Sequence, residues 1–140
     1  MIRKLTGADI DETAIIWVET NRKAHDFISI EYWQSNFDMV KEMLLQAELY
    51  VYESEGSIQG FIGLNDEYIA GLFVSEQAQS HGIGKCLLNF MKDQKRKLSL
   101  SVYQKNIRAI HFYQREGFVI QCEKIDEHTD EKEYVMTWEI

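Results

Sequence analysis

The chain has 140 residues, 45% of them hydrophobic and 27% charged, with a formal net charge of −8. That length suits a single domain, residues 1–140, with a core of its own. The acidic balance works against nucleic acid and anionic membrane as partners, no apolar run is long enough to span a bilayer, and Met1-Ile2-Arg3-Lys4-Leu5-Thr6 lacks the apolar centre of a signal peptide, so a cytoplasmic protein is expected.

In chain order, Ile2 to Leu5 reads as a short strand. Thr6-Gly7-Ala8-Asp9 has the form of a capping box with Asp9 in the reciprocal position, and Asp11 and Glu12 add favourable charge to the first helical turn. Ile10, Ala14, Trp17 and Val18 then share one helical face. Ala24 to Ile28 reads as a break, after which Ser29 caps a second helix with Trp33, Phe37, Val40 and Leu44 inside. Leu49 to Glu53 and Ile58 to Leu64 form a hairpin about Ser54-Glu55-Gly56-Ser57, and Tyr68 to Val74 adds a third strand. Gly82 to about Lys95 is a helix, Leu98 to Tyr103 a strand, Asn106 to Glu116 a helix and Gly117 to Cys122 a strand. Asp126 to Lys132 is a polar loop before a last strand from Tyr134 to Trp138. The early meander and the later strand–helix–strand units predict an α/β fold with a mixed sheet flanked by helices.

Two stretches carry chemistry. In the first, the apolar run Ile69 to Val74 leads through a polar loop into His81-Gly82-Ile83-Gly84-Lys85 and a helix. The first turn of a helix has unpaired N–H groups and partial positive charge, and glycine lets a ligand approach them, so an anion such as a pyrophosphate suits the place. The same glycines serve equally to make the turn, and Lys85 reads either as a point charge for a phosphate or as a solvated helix residue. In the second, Asn106 and Tyr113 lie seven residues apart on one predicted helix and face broadly the same way, with Gly117 as a left-handed cap. Taken alone, Asn106 reads as an N-cap and Tyr113 as a partly buried aromatic. Cys86 and Cys122 have no CxxC partner or metal-type cluster, so they are expected as buried free thiols, and no metal is expected.

Together, Gln79-x-x-Gly82-x-Gly84 after a strand, and Asn106-x-x-Ala109-x-x-Phe112-Tyr113 with Gly117-Phe118 one strand later, resemble the GNAT superfamily of N-acetyltransferases, and the element order matches along the whole chain. The resemblance implies a mostly antiparallel mixed sheet of about seven strands flanked by helices, the acyl-CoA N-acyltransferase fold. It implies that backbone amides of the turn holding Gln79, His81, Gly82, Ile83, Gly84 and Lys85 bind the pyrophosphate of acetyl-CoA. By the same resemblance Leu72, Phe73 and Val74 pair with the pantetheine arm through their main chain, Asn106 lies beside the cofactor, and Tyr113 protonates the departing thiolate. Three departures stand out. Gln79 replaces a frequent arginine, Ser75-Glu76 a frequent proline, and Tyr68 the glutamate that serves many members as general base. The segment Ala24-His25-Asp26-Phe27-Ile28-Ser29 with Glu31-Tyr32 resembles a bacterial subgroup of small acetyltransferases, where the link between the first helices borders the acceptor. His25, with a ring suited to taking a proton near neutrality, is the expected base; its other reading is packing at the helix junction.

The expectation is therefore direct acetyl transfer from acetyl-CoA to a primary amine, on a small molecule or a peptide, with Tyr113 and His25 as the catalytic pair and no acetyl-cysteine intermediate. The rival is a non-catalytic acyl-CoA-binding module that senses or regulates. The negative charge mildly favours a cationic acceptor, and a homodimer is left open.

Overall fold

The computed structural model describes residues 1–140. Seven strands form one sheet in the order β1-β2-β3-β4-β5-β7-β6, where β1 is Ile2–Lys4, β2 Glu48–Ser54, β3 Ser57–Asn65, β4 Tyr68–Val74, β5 Lys97–Tyr103, β6 Val119–Ile125 and β7 Lys132–Glu139. All neighbours are antiparallel except β4 and β5. The helices are α1 Ile10–Ala24, α2 Ile30–Ser35, α3 Phe37–Gln46, α4 Ile83–Lys92 and α5 Ile107–Arg115. None is long and apolar enough to cross a membrane.

Strand alternation sends successive side chains to opposite faces, and each face has its own core. Leu49, Val51 and Phe61 meet Ala14 and Ile16 of α1 and Val40 and Leu44 of α3. Tyr50, Ile62 and Leu64 meet Leu87, Leu88 and Met91 of α4 together with Leu98, Leu100 and Met136. The Thr6–Asp9 capping box forms as the spacing predicts, with the Thr6 N–H donating to the Asp9 carboxylate at 2.8 Å. Arg3 also pairs with that carboxylate at 2.7 Å, so the first strand and the first helix are tied at one point.

Two expectations are corrected. The second predicted helix is two helices, broken at Asn36. There the side-chain Nδ2 donates to the Tyr32 carbonyl at 2.7 Å, the local competition with the backbone that makes asparagine a poor helix interior residue. The cysteines are exposed, not buried. Cys86 lies outside the buried set of α4, and Cys122 sits on β6, an edge strand whose every residue is exposed.

Candidate active site

The site grows out of a fault in the sheet. Opposite β3, Gly63 pairs with Gly71 and Leu64 with Ile69, which leaves Ala70 as a bulge. On its other side β4 pairs with β5 only at Tyr68–Ser99 and Ile69–Leu100. From Gly71 onward the two strands part, and β4 has no strand partner on that side. The gap opens into a trough of about 1260 Å³ lined by Leu72 and Val74 of β4, the start of α4, and Asn106 and Tyr113 of α5. An unpaired strand edge beside a deep trough is suited to an extended ligand that adds main-chain hydrogen bonds.

At one end of the trough the chain turns into α4. Gly82, the N-cap, has φ +78, in the left-handed region, where glycine carries no side-chain penalty. The first backbone donor to find a helical acceptor is Cys86, which bonds Gly82 O at 2.9 Å; the N–H groups from Ser80 to Lys85 donate to no protein acceptor. This run of free donors, with the positive end of a ten-residue helix behind it, fits a pyrophosphate. Gln79 does not point outward as a substitute cation. Its Nε2 donates to the Val74 carbonyl at 3.0 Å and ties the loop to the end of β4. Its Oε1 accepts from Arg108 at 3.4 Å. Arg108 lines the trough and supplies the cation that Gln79 lacks. Nothing in the residue pattern singles it out, because it falls between the spaced positions Asn106 and Ala109.

Leu72, Val74, Gln79, Gly82, Ile83, Gly84, Lys85 and Asn106 all line the trough. Phe73 and His81 do not. Phe73 turns its ring to the opposite face against Phe61, with centroids 5.2 Å apart, so only its main chain is available to a ligand at the strand edge. His81 bonds the Ala78 carbonyl through Nδ1 at 3.1 Å and braces the loop.

The far wall is α5. Asn106 is its N-cap, with Oδ1 accepting from Ala109 N at 3.2 Å. The C-terminus closes in a Schellman motif. Phe118 N bonds Tyr113 O at 2.9 Å, Gly117 N bonds Gln114 O at 3.1 Å, and Gly117 takes φ +93. The Tyr113 ring lies 5.5 Å from Phe118 and 5.2 Å from Phe112, so the phenol is held by the motif that ends its helix. Tyr113 lines the trough, and burial, with no hydrogen bond from the protein, sets the state of its phenol. Burial drives its pKa well above the usual tyrosine value, so it stays protonated at any working pH.

His25 stands behind Asn106. Its Nδ1 bonds Asn21 Oδ1 at 3.0 Å and its Nε2 meets Asn106 Nδ2 at 3.0 Å. The ring is packed among Phe27, Trp33 and Tyr103. Burial lowers its pKa from 6.5 to about 4. The imidazole is therefore neutral at pH 7, and its one acceptor nitrogen already carries the Asn106 amide. That arrangement does not offer a free base to an incoming amine. It also has a cost for stability. The unfolded chain binds a proton near pH 6.5 that the folded ring refuses until about pH 4, so stability falls as pH drops through that window. The contribution is on the order of 3 kcal/mol at most. Chemical denaturation at pH 7 and pH 5 should show wild type losing more stability on acidification than His25→Gln; equal losses would mean the folded ring titrates normally.

Beyond His25 lies a cluster of aromatic rings and carboxylates. The Tyr103 ring is 4.8 Å from His25 and 5.6 Å from Phe27, and its hydroxyl donates to Asp126 at 2.8 Å. Burial opposes ionisation of Asp126, but hydrogen bonds from Tyr103, His128 N and Thr129 prevail and hold its pKa below the usual carboxylate value. Glu133 is pushed up, first by burial and then by Asp126, against the pull of Lys124. Tyr32 is pushed up by burial and by both carboxylates. The two carboxylates make the field in this cluster negative at Tyr32. Lys105 already reaches to its edge, with Nζ 5.2 Å from the Phe27 ring centroid and 3.1 Å from Glu131.

A bulged strand that leaves its neighbour, a free-donor helix start at one end of the gap and a buried phenol on the wall define an acyl-CoA-dependent acyltransferase. The model of the acetyltransferase (GNAT) domain matches residues 46–120, and the chain belongs to that family. It is 33% identical over 143 residues to the peptidyl-lysine N-acetyltransferase YiaC of Escherichia coli, covering 100% of this chain and 97% of that protein. It is 28% identical over 120 residues to the peptidyl-lysine N-acetyltransferase YjaB of the same organism, covering 85% and 82%. The solution structure of apo YjaB from Escherichia coli superposes with a TM-score of 0.89 at 25% identity, over 99% of this chain and 96% of that one. PaiA N-acetyltransferase from Thermoplasma acidophilum, solved with coenzyme A, shares the fold at a TM-score of 0.84 and 21% identity, over 100% and 98%. The chain is an enzyme, and its reaction is transfer of an acetyl group from acetyl-CoA to an amine.

Proposed function

We propose that the acceptor is the side-chain amine of a lysine in a peptide or protein, and that residues 1–140 act as one catalytic domain in the cytoplasm. The observation that carries this reading is the aromatic and acidic cluster behind Asn106, where Phe27, His25 and Tyr103 meet Asp126 and Glu133. Rings suit the methylene stem of a lysine and carboxylates its ammonium, and Lys105 already makes that pair of contacts at the edge with Phe27 and Glu131. Both curated relatives are named for the same acceptor.

Acetyl-CoA lies with its pyrophosphate on the free N–H groups from Ser80 to Lys85 and its pantetheine arm along Leu72 to Val74. The neutral amine attacks the thioester carbonyl, forming a C–N bond and a tetrahedral oxyanion, which the unpaired strand edge past the Ala70 bulge meets with a main-chain donor. Collapse breaks the C–S bond. Tyr113 gives its proton to the sulfur as charge develops, the proton lost by the amine goes to solvent, and the phenolate takes a proton back from solvent as the thiol leaves. Burial strengthens the hold of the phenol on its proton, and it shifts a thiolate leaving into the same wall in the same direction, towards greater basicity.

The test is acetylation of a panel containing lysine peptides, N-acetylated lysine-free peptides, free α-amines and short polyamines, read by CoA thiol release and by mass spectrometry of the product. Acetyl groups on lysine side chains, with at least about 10-fold preference over the other amines, are expected. Acetylation confined to α-amines or polyamines would replace the acceptor while leaving the family assignment intact.

A further inference from the structure

One chain of side-chain hydrogen bonds crosses from the acceptor side of the molecule to the cofactor trough, and the direction of every bond in it is determined. Asn21 is 4% exposed, on the last turn of α1. Its Nδ2 donates to the Trp17 carbonyl at 2.9 Å. A carbonyl only accepts, so the other end of the Asn21 amide, Oδ1, faces His25. Nδ1 of His25 therefore carries the ring proton, and Nε2 is left as an acceptor. Nε2 meets the amide of Asn106, which must present Nδ2 to it. Asn106 Oδ1 is thereby turned to the Ala109 N–H, where it caps α5. Flipping the Asn106 amide would set its oxygen against the Nε2 lone pair and its NH₂ against the Ala109 N–H, two repulsions in a partly buried place.

We propose that His25 is a positioning residue, which fixes the Asn106 amide so that the trough meets an N–H donor and not a carbonyl oxygen. Asn106 lines the trough, and with one proton of Nδ2 spent on His25 and Oδ1 spent on Ala109 N, the remaining N–H is the group it has to offer. The chemistry that such a donor recognises is a carbonyl, of the thioester or of a pantetheine amide. The inference rests on the placement of acetyl-CoA in the trough given above. It differs from a base role for His25 in what the ring does, since here Nε2 accepts from Asn106 throughout and never takes a proton from the acceptor.

The two roles predict opposite outcomes for Asn21→Asp. That change keeps the side-chain shape and the acceptor facing Nδ1, but replaces the donor to the Trp17 carbonyl with a second oxygen and adds a carboxylate beside the ring. A carboxylate favours the imidazolium, in which Nε2 becomes a donor and can no longer receive the Asn106 N–H. A positioning residue is disabled by this, and KM for acetyl-CoA should rise about 10-fold, the usual scale for one misoriented hydrogen bond. A general base is improved by a carboxylate behind it, and turnover should rise or its acidic limb should shift instead. His25→Gln and His25→Leu supply the second measurement. Gln retains an acceptor and is expected within about 3-fold of wild type; Leu has none and should show the raised KM, with the limbs of the pH–rate profile unmoved. Thermal melts establish that each variant is folded. Equal loss of turnover in Gln and Leu, or higher turnover in Asn21→Asp, overturns the proposal. Wild-type enzyme that showed no saturation with acetyl-CoA would instead undermine the cofactor placement on which it rests.

Discussion

Tyr113→Phe is expected to lower turnover by about 10²-fold or more while leaving acetyl-CoA affinity nearly unchanged, the usual loss when a positioned acid is removed. The substitution deletes one oxygen and keeps the ring, with its contacts to Phe112 and Phe118 and its place in the Schellman motif. No hydrogen bond from the protein acts on the hydroxyl. Its removal breaks no bond within the fold, so the variant should melt at about the temperature of wild type. Loss of rate with no loss of stability is the signature of a group kept for chemistry. Stopped assays of CoA release, with calorimetry of acetyl-CoA binding and a thermal melt, give all three quantities. Wild-type turnover in a variant that binds acetyl-CoA normally would return Tyr113 to the role of a core aromatic.

Gly84→Asp is expected to abolish acetyl-CoA binding within the accessible concentration range while the protein still folds. Gly84 lies in the first turn of α4 among the free N–H groups, and a carboxylate there competes with the pyrophosphate for the same donors and repels it. A Cβ at this position meets Phe112 at 3.5 Å and Val74 at 3.7 Å, ordinary contact distances, so added bulk alone is tolerated. Gly84→Ala is therefore the control, expected to bind within a few fold of wild type. An acidic residue in a first turn otherwise favours the helix, so lost binding in the Asp variant is not explained by unfolding. Calorimetry decides between the two. If both variants bind alike, the pyrophosphate does not lie on this turn.

Much of this architecture is legible in the residue pattern, for reasons that differ by element. Tyr68–Val74 has the strand bounds its apolar run predicts, and the Asn106 cap and the Gly117 stop frame α5 as their residue types demand. The break at Asn36 is not legible, because Trp33, Phe37, Val40 and Leu44 keep an unbroken helical spacing across it, while the cause is a side-chain bond to Tyr32 O. Thiol burial failed because residue type says nothing of place on the sheet, and Cys122 falls on an uncovered edge. At the site, spacing placed Asn106 and Tyr113 on one wall. It did not reveal that His25, 81 positions from Asn106, has Nε2 taken up by its amide, since tautomer and partner arise only from the tertiary meeting of α1 and α5. Nor did it single out Arg108 or the cluster about Tyr103 and Asp126, where the groups come together from distant parts of the chain.

The parting of β4 from β5 has a consequence for the lifetime of the protein. Two register pairs are all the backbone pairing that joins the β1–β4 half of the sheet to the β5–β7–β6 half. The shared core still packs the halves together, but the seam has few backbone bonds, and without cosubstrate amide protons along it should exchange early with deuterium. A pantetheine arm laid along the seam acts as a removable strand. At a hundredfold excess over Kd, ligation adds about 2.7 kcal/mol to the folded state by mass action alone. The folded lifetime of the enzyme is then tied to the acetyl supply of its surroundings. A chain without acetyl-CoA is idle and, by the same mass action, less protected against unfolding, so limited proteolysis should cut it faster than the ligated enzyme.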